Sequence, residues 1–298
     1  MPPKLSIVIA THNAAAVISQ ALTVLFARTS ADSTEVILAD SSTDETATLV
    51  GKFPQVRLLH FEEPLPIHVL RGRGIAIARG AVIAILDPFS FVAEGWERAL
   101  LEAHRCNPAP VIGGAVDFAG TSRPLAWAAA FNEYGLFMPP VKAGATALLP
   151  GCNVSYKREA LFDADRPRFP VFWKTFVNSD IQSRGALLWL EPDMLVTLSK
   201  PVPFAQFLTS RFDHGRCFAG MRSKSWSPAQ RLLYAAGSPL LPLILCWRWS
   251  RGFWSKGTKR ALFVATLPAQ LLLFGMWALG EAAGYLFGSG RSCQRLFS

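Results

Sequence analysis

Apolar and polar positions alternate in short blocks along the first 120 residues of the chain. Apolar runs rich in β-branched residues are typical of buried parallel strands, and they occupy residues 5–10, 35–39, 56–61 and 81–86. The blocks between them have helical composition and cover residues 14–27, 45–53 and 74–79. Because strands and helices alternate in such short units, the pattern predicts an α/β fold with a doubly wound, mostly parallel sheet.

Polar residues stand at the ends of three of these predicted strands. Thr11, Asp40 and Asp87 directly follow the apolar runs over residues 5–10, 35–39 and 81–86. In open parallel sheets, ligands bind beyond the carboxyl ends of the strands. We therefore expect a ligand site at this edge of the sheet. Further apolar runs predict additional strands of the same domain over residues 111–118, 144–149, 187–191 and 195–198.

The charge distribution changes after Pro201. Residues 201–298 hold 12 Lys and Arg against two acidic residues, whereas residues 1–200 hold 18 basic and 19 acidic ones. The basic excess therefore coincides with the most apolar third of the chain, which favours an anionic lipid surface over nucleic acid. We expect no nucleic-acid partner, since no zinc-finger or single-stranded-RNA signature accompanies the charge.

The C-terminal third is predicted to associate with a membrane. Residues 261–284 lie in an apolar stretch long enough to cross a bilayer, while 232–247 are too short and contain two prolines. The five basic residues between these segments are predicted to stay on the cytoplasmic side. Within 204–231, apolar residues at helical spacing among arginines predict an interfacial helix, and they are Phe204, Phe207, Leu208, Phe212, Phe218 and Met221.

The expected domain organisation follows from these changes in composition. We expect an α/β domain over 1–203, a basic interfacial segment over 204–231 and membrane-associated helices over 232–298, with one span over 261–284. A buried helical pair in a soluble protein is the alternative for the last part.

The cysteines and the N-terminus bear on the compartment. Five cysteines are scattered without a CxxC pair, which predicts neither a disulfide framework nor a zinc site and fits a reducing compartment. The first strand begins at Leu5 with no apolar signal segment ahead of it. We therefore expect a membrane protein whose N-terminal domain lies on the cytoplasmic face.

Five motifs occur in a fixed order along the N-terminal domain. They are Leu5–Asn13 (LSIVIATHN), Ala39–Asp44 (ADSSTD), Arg71–Gly80 (RGRGIAIARG), Ile83–Asp87 (IAILD) and Gly95-Trp96. The series resembles the family 2 glycosyltransferases with a GT-A fold, over about residues 4–200. The resemblance implies a GT-A-like domain that binds a nucleotide-diphospho-sugar and transfers its hexose with inversion.

The resemblance also implies which residues bind the donor. Asp40 would accept the imide N–H of uracil or the amino groups of guanine, with a helix-capping aspartate as the alternative. Thr11 and Asn13 would flank the base or ribose, although Asn13 is also a common turn residue. Arg71 would reach the base or the diphosphate, unless it is a solvated surface arginine.

Asp87 occupies the place of a motif that this sequence carries only in part. The family has an Asp-x-Asp motif here, whose second carboxylate binds Mg²⁺ or Mn²⁺ between the donor phosphates. The sequence reads Asp87-Pro-Phe-Ser90, so Phe89 stands where the second carboxylate would be. We therefore expect Asp87 to contact ribose or a weakly held divalent ion, or the reaction to proceed without a bound metal.

Asp180 is the candidate catalytic base. It is the only acid in Phe172–Gly185, the stretch that matches the family's acidic motif before a glycine turn. A carboxylate there would take the proton of the acceptor hydroxyl as its oxygen attacks the anomeric carbon. A solvated helix residue is the alternative.

Two further segments are implied to bind the acceptor or a phosphate. Gly151 and Asn153 lie in a stretch similar to the family's acceptor-side segment. Arg211, His214 and Arg216 lie where relatives place a basic segment near the membrane, and would hold the donor diphosphate or a lipid phosphate. A plain basic interfacial helix is the alternative for these three residues.

Together these features predict an enzyme of glycan assembly. We expect sugar transfer from a nucleotide-diphospho-sugar to a lipid-linked or membrane-proximal glycan acceptor, in cell-envelope or exopolysaccharide biosynthesis. The alternative is a catalytically degenerate relative that binds nucleotide or glycan, or scaffolds an active transferase. Phe89 favours this alternative, whereas the intact Thr11, Asn13, Asp40 and Asp87 favour the enzyme.

Overall fold

The computed structural model describes residues 2–119, 123–199, 203–254 and 256–296. The chain divides into two compact units. Of the described residues, the first unit contains 2–119 and 137–199, and the second contains 123–136, 203–254 and 256–296. The first unit is mixed α/β, and the second is built of helices.

The first unit is organised around one large sheet. Its strands are β1 (Leu5–Thr11), β2 (Thr34–Asp40), β3 (Val56–His60), β4 (Val82–Leu86), β5 (Ser90–Val92), β6 (Val111–Phe118), β7 (Gly144–Thr146), β8 (Asn153–Lys157) and β11 (Leu188–Leu198). A separate short ribbon pairs β9 (Phe162–Asp163) with β10 (Arg166–Pro167). The helices of this unit are α1 (Ile18–Arg28), α2 (Thr46–Val50), α3 (Ile67–Ala76), α4 (Trp96–Cys106), α6 (Arg158–Leu161) and α7 (Lys174–Ser183).

The strand order in the large sheet is β3-β2-β1-β4-β8-β6-β11-β5, with β7 also paired to β11. Strands β1 to β4 are parallel, and β8 is antiparallel to both of its neighbours, β4 and β6. Because β1, β2 and β4 are parallel neighbours, their carboxyl ends meet at one edge of the sheet. The predicted α/β fold with a mostly parallel sheet is therefore confirmed.

The boundaries differ from the sequence expectation at several elements. Helix α3 begins at Ile67, seven residues before the predicted start, and β11 is one strand with a register shift where two strands were expected. Strand β8 was not predicted, because its polar residues hid an interior strand. Ser155 can be buried in this strand because its hydroxyl is hydrogen-bonded. The hydroxyl donates to Ile112 O and accepts from His104 Nε2 at 2.8 Å.

The second unit is a helical assembly. Its helices are α5 (Pro124–Tyr134), α8 (Phe204–Arg222), α9 (Pro228–Gly237), α10 (Leu241–Trp254), α11 (Arg260–Ala265) and α12 (Leu267–Phe287), with short 3₁₀ turns at Ser238–Leu240 and Ser292–Arg295. The rings of Phe131, Phe253 and Phe263 lie within 5.4 Å of one another and join α5, α10 and α11.

Helices α8 and α12 pack closely along their length. A Cβ on Gly215 would lie 2.2 Å from Trp277 O, and one on Gly280 would lie 2.2 Å from Phe212 O. Glycine is therefore required at both positions for the backbones to approach. Helix α8 is thus a core helix of this unit, with Phe207 buried and Phe218 against Trp277. The helix expected within 204–231 is thus present as α8, and its position at a lipid interface stays a prediction.

None of the helices in the described residues combines the length and apolarity needed to cross a bilayer. The predicted single span over 261–284 also differs from the structure, which divides this stretch between α11 and α12. The break falls at Thr266, two residues before Pro268, which has no N–H to donate and suits the first turn of a helix. In α12, Glu281 is buried and accepts hydrogen bonds from Trp277 Nε1 and Tyr285 Oη, while burial raises its pKa.

The cysteine expectation is also corrected. Cys217 of α8 and Cys293 of the last 3₁₀ turn form a disulfide, with their Cα atoms 5.0 Å apart. They are 76 residues apart in the chain, so no local spacing indicated the bond. Among the described residues, Cys106 and Cys246 are free thiols.

Candidate functional site

Three side chains stand in register at the carboxyl ends of β1, β2 and β3. Thr11 pairs with Asp40 across the strands, and Asp40 pairs with His60. Asp40 is completely buried, and its carboxylate accepts hydrogen bonds from Thr11 Oγ1 at 2.7 Å and Ser42 Oγ at 2.5 Å. Its second oxygen lies 2.8 Å from His60 Nδ1. Asp40 is therefore neither a helix cap nor open to a ligand in this conformation.

Asn13 organises the loop that follows β2. Its φ angle is +53°, in the left-handed region that asparagine tolerates. Its Oδ1 accepts the backbone N–H groups of Thr43 at 2.9 Å and Asp44 at 3.3 Å, and its own N–H donates to Ser42 Oγ at 2.7 Å. The turn alternative therefore holds for Asn13, which joins the loops after β1 and β2 into one rim beside Asp40.

Arg71 of α3 lies against Asp87, which follows β4. The Nη2 and Oδ1 atoms are 2.5 Å apart, and the two side chains are only 14% and 11% exposed. Arg71 is therefore not a solvated surface arginine. Its Nε is buried with no hydrogen-bond acceptor among the described residues. A buried N–H without an acceptor is unusual in proteins, and an anionic ligand would supply one.

His68 lies one turn before Arg71 on α3. Its ring is 5.2 Å from that of Trp173, and its Nδ1 is buried without a hydrogen-bond partner in the described part of the chain. Burial, and next the positive charge of Arg71, lower the pKa of His68 to about 4. The imidazole is consequently neutral at physiological pH, and Arg71 carries the positive charge at this place.

The residues around Asp87 do not fit a divalent metal held by the protein. Asp87 is already bound to Arg71, and Pro88 offers no ligand atom. Phe89 is only 6% exposed, so the position of the family's second carboxylate is occupied by a buried ring. The part of the chain that the structure describes also contains no cluster of three or more His, Cys, Asp or Glu suited to a metal ion.

The acceptor-side segment lies beside β4, because β8 pairs with it and brings Asn153 opposite Leu86. Asn153 is completely buried and holds three elements together. It accepts Trp96 Nε1–H at 3.0 Å and donates to Ala115 O at 2.9 Å and Met194 O at 2.6 Å. It therefore cannot contact an acceptor, which corrects the expectation for this residue. Gly151 is half-buried, and a Cβ there would meet no atom within 4 Å.

Asp180 lies on α7 and forms an ion pair with Arg184 one turn later, at 2.8 Å. Its side chain is 38% exposed. In the described chain, no hydrogen bond or ion pair joins it to Thr11, Asp40, Arg71 or Asp87. The contacts of Asp180 in the described chain thus do not link it to the residues at the strand ends.

The three basic-segment residues belong to the second unit and have partners there. Arg211 is buried 3.5 Å from Glu133 and stacks 4.5 Å from the Phe207 ring centre. His214 Nδ1 lies 2.9 Å from Ser210 O, and Arg216 Nε donates to Gly288 O. These contacts connect α8 to α5 and to the end of α12.

Sequence reasoning missed His60 and His68. His60 ends β3 as Asp40 ends β2, so the rule that drew attention to Asp40 also applied to it. His68 gave no such signal, because the predicted helix began after it.

The comparisons with known proteins agree with this geometry. Residues 6–163 match the model of the family described as glycosyl transferase family 2. The match covers more than half of the chain, which therefore belongs to that family. No curated protein sequence matches the chain.

Solved structures share the fold at low sequence identity. A mannosyltransferase from Pyrobaculum calidifontis, PcManGT, in complex with GDP-Man and Mn²⁺, has a TM-score of 0.60 and 18% identity, covering 96% of this chain and 88% of that one. TarS 1–349 from S. aureus with UDP-GlcNAc has a TM-score of 0.53 and 14% identity, covering 94% and 91%. These similarities confirm a GT-A-like fold.

We predict that Asn153→Leu lowers stability without a direct effect on ligand binding. The change removes the buried hydrogen bonds that the Asn153 side chain makes with Trp96 Nε1, Ala115 O and Met194 O, at about 1–3 kcal/mol for each. Urea unfolding should show a loss of about 3 kcal/mol or more, and the folded fraction should bind nucleotide as before. Unchanged stability with a raised KM for an acceptor would instead return Asn153 to the acceptor site.

Proposed function

We propose that this family 2 glycosyltransferase transfers a sugar from a nucleotide-diphospho-sugar to a lipid-linked or membrane-proximal glycan acceptor. We place the reaction at the cytoplasmic face of a membrane, in cell-envelope or exopolysaccharide biosynthesis. The observation that carries the donor half is the cluster at the strand ends, where a buried Arg71–Asp87 pair stands at the same sheet edge as Thr11, Asp40 and His60.

Arg71 supplies the positive charge for the donor diphosphate in this proposal. A guanidinium presents five N–H donors in a fixed fork that suits phosphate oxygens. Asp87 uses one edge of that fork and holds the side chain in place, while Nε has no acceptor among the described residues. Thus Asp87 would position Arg71, and Arg71 would stabilise the charge that grows on the departing diphosphate.

The donor class is supported by the structural neighbours. PcManGT is in complex with GDP-Man, and TarS with UDP-GlcNAc. Both ligands consist of a nucleobase, a ribose, a diphosphate and a hexose. A donor of this class requires one group that reads the base and one that balances the diphosphate, and the strand-end cluster offers both kinds.

Asp180 is the carboxylate that we propose as the catalytic base. The acceptor oxygen would attack the anomeric carbon, the bond from that carbon to the diphosphate oxygen would break, and Asp180 would take the hydroxyl proton. The nucleoside diphosphate leaves with the bonding electrons. Its side chain is 38% exposed, which leaves Asp180 open to an acceptor, and its ion pair with Arg184 holds the carboxylate in place.

The second unit supports an acceptor at a membrane. Among the described residues, 15 of the 17 exposed large apolar side chains belong to it. On α10 and the turn before it, a stripe at helical spacing contains Leu240, Leu243, Ile244, Trp247 and Trp254, each more than half exposed. Exposed Arg248 and Arg251 lie in the same helix. Apolar side chains, tryptophan and arginine together suit the headgroup region of an anionic bilayer.

A degenerate, non-catalytic relative is the second candidate function. It is favoured by Phe89, which is buried where the family carries a carboxylate, and by the pairing of Asp87 with Arg71. Such a protein would bind the nucleotide-sugar without turning it over.

Turnover separates the two candidates. With a panel of nucleotide-diphospho-sugars and a membrane extract as acceptor, we expect the full chain to release nucleoside diphosphate. Asp180→Asn should lower kcat by about 10²–10⁴-fold, the usual contribution of a general base, with donor binding unchanged. Donor binding without release from any sugar in the panel would establish the degenerate relative.

Arg71→Lys tests the source of the countercharge. Lysine keeps a positive charge beside Asp87 but loses the forked donor geometry, so UDP or GDP affinity should fall about tenfold or more. Arg79→Lys is the matched control, because Arg79 pairs with Glu35 and its side chain is 67% exposed. Calorimetric titrations of the wild type in EDTA and in Mn²⁺ should differ less than tenfold. A larger gain from Mn²⁺ would contradict the role given to Arg71.

Vesicle sedimentation tests the membrane surface. The paired change Leu243→Gln with Trp247→Gln should reduce binding to vesicles containing phosphatidylglycerol at least about tenfold, since it removes two apolar anchors of about 1.5–3 kcal/mol each. Leu187→Gln is the matched control, because Leu187 is 64% exposed, like Trp247, but belongs to the first unit. Equal binding by both variants would exclude this face as the docking surface.

A further inference from the structure

We propose that His60, and not Asp40, is the residue that reads the nucleobase of the donor, and that Asp40 acts by holding the His60 ring. The inference rests on the proposed donor binding and assigns the base contact within that site. Nothing in the motifs singles out His60, which lies outside all five of them.

The hydrogen bonds of Asp40 leave it little capacity for a ligand. Its side chain is completely buried, and it accepts from Thr11 and Ser42 at one oxygen and from His60 at the other. The carboxylate has no exposed surface, so a base could reach Asp40 only if one of these donors moved aside. The donor that moved would lose its hydrogen bond, which costs about as much as the new hydrogen bond would contribute.

The same hydrogen bonds fix the tautomer of His60. An ionised carboxylate can only accept, so the proton of the His60–Asp40 bond must lie on Nδ1. In the neutral ring Nε2 is then an acceptor with a free lone pair. Nε2 makes no hydrogen bond in the described part of the chain, and the His60 side chain is 38% exposed. His60 thus offers an oriented acceptor atom at the surface of the site.

The position of His60 agrees with this role. It is in register with Asp40, which is in register with Thr11, so the three side chains form a row on one face of the sheet at its carboxyl edge. The row begins in the buried interior of the sheet and ends at β3, the edge strand. The exposed end is the part that a planar base can approach.

An imidazole acceptor selects among bases by their ring N–H groups. Uracil presents N3–H and guanine presents N1–H, whereas neutral adenine and cytosine have no ring N–H on their pairing edge. His60 would therefore pair with the ring N–H of a UDP-linked or GDP-linked donor, whereas an ADP-linked or CDP-linked donor could offer it only an exocyclic amino N–H. This selectivity arises from one lone pair whose direction is set by Asp40.

Two substitutions of His60 distinguish its contact with the base, made through Nε2, from its hydrogen bond to Asp40, made through Nδ1. An asparagine amide reaches the place of Nδ1 and can donate to Asp40, but it has no atom at the place of Nε2. A glutamine amide reaches the place of Nε2 and has no donor at that of Nδ1. We expect UDP or GDP affinity at pH 8 to fall at least about tenfold in His60→Asn and less than about threefold in His60→Gln.

A purely structural role for His60 gives the opposite order. His60→Asn would then bind like the wild type and His60→Gln would bind less well, and that result would overturn the inference. Thermal unfolding of both variants accompanies the titrations, and we expect the larger loss of stability in His60→Gln, because Asp40 loses a donor there.

A nucleotide methylated at the ring nitrogen tests the same contact from the side of the ligand. The analogue of the tighter-binding nucleotide, N3-methyl-UDP or N1-methyl-GDP, should bind the wild type at least about tenfold more weakly than its parent. In His60→Asn the parent and the analogue should bind alike. An equal penalty for methylation in both proteins would overturn the inference. A wild-type protein that binds neither UDP nor GDP would overturn the donor-binding function itself, which is a distinguishable result.

Discussion

The candidate donor site depends on burying two carboxylates at the ends of parallel strands. A buried carboxylate is costly unless charge or hydrogen bonds compensate it, and the two aspartates are compensated differently. Asp40 is surrounded by hydroxyls and an imidazole, whereas Asp87 is bound to a guanidinium. Each carboxylate therefore fixes a neighbour whose remaining polar atoms can serve a ligand: Nε2 of His60 and Nε of Arg71.

In the function that we propose, the Arg71–Asp87 pair replaces the second carboxylate of the family's metal motif. A divalent ion and an arginine can both balance a diphosphate, but they need opposite surroundings. The ion needs several oxygen ligands, and the arginine needs one carboxylate to hold it. With Phe89 buried, we propose the second arrangement for this chain. The neutral state of His68 beside Arg71 fits it as well, since a second buried cation would repel the first.

In the second unit, the important constraint is close packing between α8 and α12. Glycines at the contact bring the backbones together, and the polar residues of α12 are buried in the unit with their own partners. Glu281 and Gln270, which weaken the apolarity of this stretch, are thereby explained as interior groups. The exposed apolar residues of the described part of this unit lie mostly on α9, α10 and α12, and they form the surface that we propose for docking at a lipid bilayer.

The sequence by itself determined what short-range pattern can encode. Alternating apolar blocks were sufficient for the parallel sheet, and the polar residue at each strand end identified Thr11, Asp40 and Asp87. The ordered motifs identified the family. These features depend on residues within about ten positions of each other. Within such a short segment, the periodicity of apolar side chains indicates which of them are buried.

Only the tertiary structure decided what those residues contact. Strand register brings His60 to Asp40 across 20 positions, and the packing of α3 brings Arg71 to Asp87 across 16. The bond between Cys217 and Cys293 and the glycine contacts of α8 with α12 join residues still farther apart. No local pattern records such pairings, because each depends on where whole elements pack and not on the composition of either one. For this reason the sequence identified the polar residues at this sheet edge but could not tell that Asp40 and Asn153 are buried, while His60 is exposed.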